Sequence, residues 1–128
     1  MPCMRYFWKA ACVAFTLGGL VAATSADQSV ETGRQLYDRH CRSCHGGTGP
    51  ADSPIGPSLS GIVGRKAGTT ASGIHSRAAT DSGIVWDRES LRRFVSAPQR
   101  EIPGSLMPVP VVDPAELEHL LDYLESLR

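Results

Sequence analysis

"CRSCH", residues 41–45, constrains this chain more than any other stretch. Two cysteines stand two residues apart and a histidine follows the second directly. Three chemistries use such a pair. A thioredoxin-like dithiol needs a βαβ setting, which the flanking sequence does not offer. A zinc site needs four ligands, usually with a second pair at matching spacing. No second pair exists, and His40, His75 and His119 make no paired spacing. The third chemistry uses all three side chains: Cys-x-x-Cys-His is the attachment signature of c-type haem. Two thiols add to the two vinyl groups of one porphyrin edge. The two intervening residues let the backbone span that edge, and the next residue sits beneath the ring, where the Nε2 of His45 reaches the iron.

The first 26 residues differ from the rest. Arg5 and Lys9 are their only charges, Ala10 to Ala23 is apolar and small, and the stretch closes on small residues at Thr24 to Ala26. A basic start, a short apolar run and a small-residue end describe a cleavable secretory signal. Residues 1–26 are therefore expected to be a signal peptide, leaving 27–128 as one domain exported to the periplasm. The alternative is an uncleaved anchor, although 14 apolar residues fall short of the ~20 that span a bilayer. Without the leader, the 13 basic residues become 11 against 13 acidic ones, a net charge of −2. That balance excludes the basic footprint of a nucleic-acid binder. Cys3 and Cys12 leave with the leader, so Cys41 and Cys44 are the only cysteines of the exported part.

Three helical patches stand out. From about Ser29 to Cys41, Val30, Gly33, Tyr37 and Cys41 recur at helical steps along one face. A glycine there costs ~1 kcal/mol relative to alanine. It marks either close approach of another backbone or a tolerated flaw. A second helix starts after an N-cap at Asp87, carries Leu91, Phe94 and Val95, and is stopped by Pro98. The third reads "DPAELEHLLDYLESLR", with Asp113 as N-cap, Pro114 first in the helix and Glu116 completing a capping box. Its leucines at 117, 120, 121, 124 and 127 form one stripe, and the helix is expected to close on Arg128.

Residues 46–85 lie between the first two patches, rich in Gly, Ser, Thr and Pro and without strand alternation. An irregular stretch of that length argues against a compact domain unless it wraps something other than protein. The exported part also has just four aromatic residues, Tyr37, Trp86, Phe94 and Tyr123. A covalently stapled haem meets both needs. It supplies buried apolar area, worth ~25 cal/mol per Å², to a chain whose own core is marginal.

The chain resembles the class I cytochromes c, the mitochondrial and bacterial c2-like monohaem proteins, from about Val30 to Leu127. The pieces that carry the resemblance are "CRSCH", "GPSLSGIVGRKAG" (56–68), "GIVWDRESLRRFVSAP" (83–98), "IPGSLM" (102–107) and the leucine-striped last helix. The resemblance implies an all-α fold of three to five helices and long loops around one covalently bound haem, with first and last helices crossing at Gly33. Tyr37 would then pack near Tyr123 and Leu120. It implies haem c joined through Cys41 and Cys44, His45 as proximal iron ligand with its second ring nitrogen donating to the Pro57 carbonyl, and Met107 as the sixth ligand. Met107 is the only methionine outside the leader; the alternative is a core or loop methionine. Arg65 and Trp86 match residues that partner an inner haem propionate, and Ser105 matches a hydroxyl near the propionates. Leu59, Phe94, Pro98 and Leu124 match pocket walls.

Departures matter as much. Phe94 stands where the family commonly has a tyrosine that contacts the methionine sulfur, so that donor is missing. His75 stands where a propionate-contacting tyrosine is common; it is either such a partner or a solvated loop residue. Ala79 replaces a common polar residue in the pocket. Lys66 is the only lysine outside the leader, so the family's basic docking ring is largely absent. Gln99, Leu106 and Val109 occupy the expected haem edge, with Arg42 and Arg100 as the remaining cations. His40 and His119 are expected to be solvated. The function implied is one-electron transport in the periplasm between redox proteins such as an oxidase, a cytochrome complex or a dehydrogenase, by a monomer that is not an enzyme. The alternative is a dedicated haem subunit or acceptor of a periplasmic dehydrogenase oxidising an alcohol or sulfite. A third reading, a ligand-binding haem with Met107 displaced, draws only on the absent tyrosine.

Overall fold

The structure, a computed structural model, describes residues 24–47, 55–108 and 112–128. The expected leader lies outside the described residues except for its last three, and so does Val109. Six helices form among the described residues: α1 (Ser25–His40), α2 (Arg42–His45), α3 (Arg77–Asp81), α4 (Arg88–Ser96), α5 (Pro98–Glu101) and α6 (Leu117–Ser126). This is one helix more than the expected upper number, and α2, α3 and α5 are only four or five residues long. No helix among the described residues is long and apolar enough to cross a membrane.

Helix α1 starts four residues earlier than the sequence suggests. Thr24 caps it, its hydroxyl accepting from the Asp27 N–H at 3.4 Å. The buried face is Gly33, Leu36 and Tyr37, an i, i+3, i+4 set. This face lies across α6. Gly33 has no room for a side chain, because a Cβ would overlap the backbone carbonyl of His119. The flaw reading of Gly33 is thus replaced by close backbone approach. Beside it the Tyr37 and Tyr123 rings lie 5.4 Å apart, tilted by 58°, an arrangement favoured by the ring quadrupoles. Leu120 and Leu121 of α6 are completely buried in the core cluster that also holds Leu36 and Tyr37; each such leucine contributes roughly 2–3 kcal/mol of transfer free energy.

Helix α4 follows its sequence closely. The Asp87 carboxylate accepts from the Ser90 N–H at 2.7 Å, and the Ser90 hydroxyl accepts from the Asp87 N–H at 2.9 Å. Two otherwise orphaned amide groups are satisfied reciprocally. Leu91 and Val95 are its buried pair. Pro98 does stop α4, and then opens α5 as the first residue of a new turn.

Helix α6 begins later than expected. Asp113 caps a turn at residues 114–116 through the Ala115 N–H at 2.7 Å, and the regular helix starts at Leu117. The Glu116 capping box does not form, and the helix ends at Ser126 instead of Arg128. Helix α4 leans on α6 through Arg88, which reaches Glu118 at 2.9 Å, Asp122 at 2.8 Å and Glu125 at 2.6 Å. His119 is not simply solvated as expected: its Nδ1 lies 2.6 Å from the Ser29 hydroxyl of α1.

The stretch before α4 holds one antiparallel bridge, Lys66 with Val85, flanked by bonds from Ala67 N–H to the Ile84 carbonyl (2.8 Å) and from Trp86 N–H to the Arg65 carbonyl (2.9 Å). These contacts place Arg65 beside Trp86, on one wall of the site.

Candidate functional site: a cleft carrying two thiols, an imidazole and a thioether

At Cys41 the chain leaves α1 and starts a new turn. The Cys41 carbonyl accepts from both Cys44 N–H (3.1 Å) and His45 N–H (2.9 Å). One helical turn places residues i, i+3 and i+4 on a single face. Cys41, Cys44 and His45 accordingly all line one cleft. Tyr37 anchors this turn from below, its hydroxyl donating to the Gly46 carbonyl at 3.0 Å. Burial pushes that hydroxyl up to about 12, so it remains a donor at physiological pH.

Cys41 and Cys44 form no disulfide. Burial, and then the neighbouring Cys44, push Cys41 up to about 11. Among the described residues, no three His, Cys, Asp or Glu side chains gather to hold a metal ion. Neither the zinc reading nor a βαβ dithiol reading finds a framework here.

His45 is held by one nitrogen. Its Nδ1 lies 2.7 Å from the Pro57 carbonyl oxygen, an acceptor, so Nδ1 carries the proton and Nε2 keeps its lone pair. The ring rests against Gly56, where even a methyl group would press on Cε1 and Nδ1. Burial lowers the imidazole pKa, partly opposed by the bond to Pro57. A half-buried imidazole with one nitrogen tied to a carbonyl is the arrangement found at metal-ligating histidines.

Met107 lines the same cleft, and so does Ser105. The Ser105 hydroxyl accepts from the Met107 N–H at 3.2 Å, so it shapes the methionine loop. The walls are apolar. Leu59, Phe94 and Leu124 stand where expected, while Pro98 is buried behind the lining. Trp86 packs on Phe94 with ring centres 5.1 Å apart. Sequence reasoning missed Ile62, Leu91, Val95 and Leu120 as lining residues; the last three carry one signal, the apolar periodicity of α4 and α6, and Ile62, in the loop before α3, carries none.

Arg65 lines the cleft with its guanidinium already engaged, donating to the Ser60 carbonyl at 2.8 Å and the Ser58 carbonyl at 2.6 Å. Partial burial pulls its pKa below the ordinary arginine value. His75 also lines the cleft and is not simply solvated: its Nε2 lies 2.8 Å from the Thr70 carbonyl. His40, expected to be solvated, borders the cleft as well.

The chemistry of this donor set fits haem c. Two thiols and an imidazole share one face of a turn, a thioether shares their cleft, and the remaining surface is mostly aliphatic and aromatic.

Comparison with known proteins agrees. The Cytochrome c family model matches residues 30–128. Cytochrome c2 of Agrobacterium tumefaciens is 39% identical over 99 residues, covering 74% of this chain and 88% of its own length. Cytochrome c2 of Rhodoblastus acidophilus is 33% identical over 99 residues, covering 77% and 92%. Among solved structures, cytochrome cH from Methylobacterium extorquens superposes with a TM-score of 0.66 at 28% identity, covering 76% of this chain and 97% of that one. The chain belongs to the cytochrome c family. Within it the chain is a class I, c2-like monohaem protein: an electron carrier that works with redox partners and binds haem c covalently through Cys41 and Cys44.

Proposed function

We propose that this cytochrome is a periplasmic one-electron carrier whose haem iron is held between His45 Nε2 and the Met107 sulfur, and that it is not an enzyme. The observation that carries the reading is the 2.7 Å contact from His45 Nδ1 to the Pro57 carbonyl, which leaves Nε2 as the free donor in the cleft that Met107 also lines. When bound, haem supplies a one-electron couple at iron, and a His/Met donor pair sets that couple high. The chain's own residues do the rest. Leu59, Phe94, Trp86 and Leu124 exclude water. Tyr37 and Pro57 hold the CRSCH turn and the imidazole in fixed orientation. Donors that do not move between oxidation states keep the reorganisation cost of electron transfer low.

The reading includes export and cleavage after Ala26, which removes Thr24 and leaves Asp27 at the start of α1, where an acidic side chain complements the helix dipole. It takes the protein as a monomer. Arg65, Trp86 and Ser105 border the propionates in this reading, and Arg65 reaches them with donors not committed to Ser58 and Ser60.

A second reading, the dedicated electron acceptor of a periplasmic dehydrogenase, is favoured by one feature. Arg88, Arg92 and Arg93 are all spent on Glu118, Asp122, Glu125 and Glu101 of the same chain. At the border of the cleft Ile74 and Leu106 are exposed instead, an apolar contact suited to one fixed partner. Stable co-purification with a dehydrogenase favours this second reading, and a monomer on sizing favours the first.

The test of the shared core is a pyridine haemochrome spectrum with a redox titration of the exported protein. One haem c per chain and a single one-electron wave are expected. Colourless protein with two free thiols overturns the proposal.

A further inference from the structure

We propose that the Gln99 side-chain amide is the clamp that holds the Met107 loop in place, a positioning role that rests on the Met107 ligation proposed above. The loop opens on a tight turn. Ser105 N–H bonds to the Ile102 carbonyl at 2.9 Å, Pro103 occupies the second position, and Gly104 sits third at φ +91°. That is the sequence and geometry of a type II turn, whose third residue needs a positive φ. The turn fixes residues 102–105 relative to one another. It does not fix the loop to the wall of the cleft.

Gln99 does. Its Oε1 accepts from the Gly104 N–H at 3.2 Å. Its Nε2 donates to the Ser105 carbonyl at 2.5 Å and makes a longer contact of 3.4 Å with the Met107 carbonyl. Among the described residues, each hydrogen bond that ties residues 104–107 to the chain beyond the turn runs to this one amide. The amide itself stands on α5, which is anchored by the buried Pro98 and by the bond from Ile102 N–H to the Pro98 carbonyl at 2.9 Å.

The contact pattern requires an amide. One end must accept from an N–H while the other donates to carbonyls. Glutamate keeps the shape and the acceptor, loses the donor and turns a negative oxygen toward two carbonyls. Alanine loses both ends. Gln99 is exposed and fills no core space, so its replacement leaves the fold intact.

The loop must swing away before an external ligand reaches the iron, so the apparent affinity for such a ligand scales with the open fraction. The experiment is an imidazole titration of the ferric holoprotein, following the weak red charge-transfer band that marks methionine ligation. Wild type, Gln99→Ala and Gln99→Glu are compared, with thermal midpoints measured alongside. Gln99→Ala is expected to lose the band at roughly tenfold lower imidazole, equivalent to ~1.4 kcal/mol of loop closure, with Gln99→Glu affected at least as much. A lowered thermal midpoint with unchanged imidazole affinity in both variants means a merely structural role and overturns the clamp. Wild-type protein without the band strikes the Met107 ligation itself, and the clamp falls with it.

Discussion

Gly33 of α1 presses its bare Cα against the carbonyl of His119 in α6, leaving no space for a methyl group. The crossing sits directly behind the cleft, with Tyr37 and Tyr123 packed next to it, and Tyr37 continues to Gly46 at the end of the CRSCH turn. The helix crossing and the haem-attachment turn are thus one mechanical unit. Gly33→Ala removes a helix penalty of ~1 kcal/mol but forces the two backbones apart. The net expectation is a loss of ~2 kcal/mol in denaturant unfolding of the holoprotein. Unchanged or increased stability contradicts the crossing described here.

The contact between α4 and α6 predicts an acid sensitivity. Glu118 is held down from 4.5 to about 2, first by its bond to Arg92 and then by Arg88. A carboxyl whose pKa is depressed by folding adds stability above its unfolded value and loses it as the pH falls through the folded one. Stability should therefore decline between pH 4.5 and about 2. Glu118→Gln should flatten that decline while lowering stability slightly at neutral pH. Thermal midpoints of the holoprotein across that range check the slope; a variant with the wild-type slope counts against the pairing.

The same pairing has a kinetic consequence. With the α4 arginines engaged within the chain and Lys66 the only lysine after residue 26, little positive field remains to steer a partner. Steered associations gain roughly 10–10³ in rate and lose it in salt. Here the second-order rate with a redox partner should change by less than about threefold across moderate ionic strengths. Ile74 and Leu106, 62% and 66% exposed at the border of the cleft, should carry the contact instead. Ile74→Glu should slow the reaction about tenfold at all salt concentrations, the effect of losing ~1.4 kcal/mol from the encounter. Stopped-flow mixing distinguishes the cases, and a steep salt dependence would refute apolar docking.

Much of this was legible in the residues themselves. "CRSCH" names its cofactor because no other common site uses both thiols and the following imidazole. Asp87 and Ser90 announce the start of α4, and the leucine stripe announces α6. Gly33 by itself left a close approach and a tolerated flaw open; the resemblance supplied the crossing with the last helix, which the His119 carbonyl against Gly33 bears out. The misses share a physical origin. Helices α2, α3 and α5 are one turn long, too short for a 3.6-residue period to register, and depend on local caps such as Ser76 or on Pro98. The start of α6 was placed early because Asp113 caps a turn, and a cap signal does not distinguish one turn from ten residues of helix. His119 looked solvated, and His75 stayed open between a propionate partner and a solvated loop residue, because their partners, Ser29 and the Thr70 carbonyl, become neighbours only through tertiary packing or loop closure. Gln99 was placed only at the haem edge, for the same reason: its contacts depend on where the turn after Pro103 folds back.

The most direct test is the visible absorption spectrum of the ferric protein, recorded for wild type and Met107→Ala after export. A low-spin haem c spectrum with the weak red methionine band in wild type, and loss of that band in the variant, is the predicted result. A high-spin wild-type spectrum, or spectra that do not differ between the two proteins, would contradict the account of iron held between His45 and Met107.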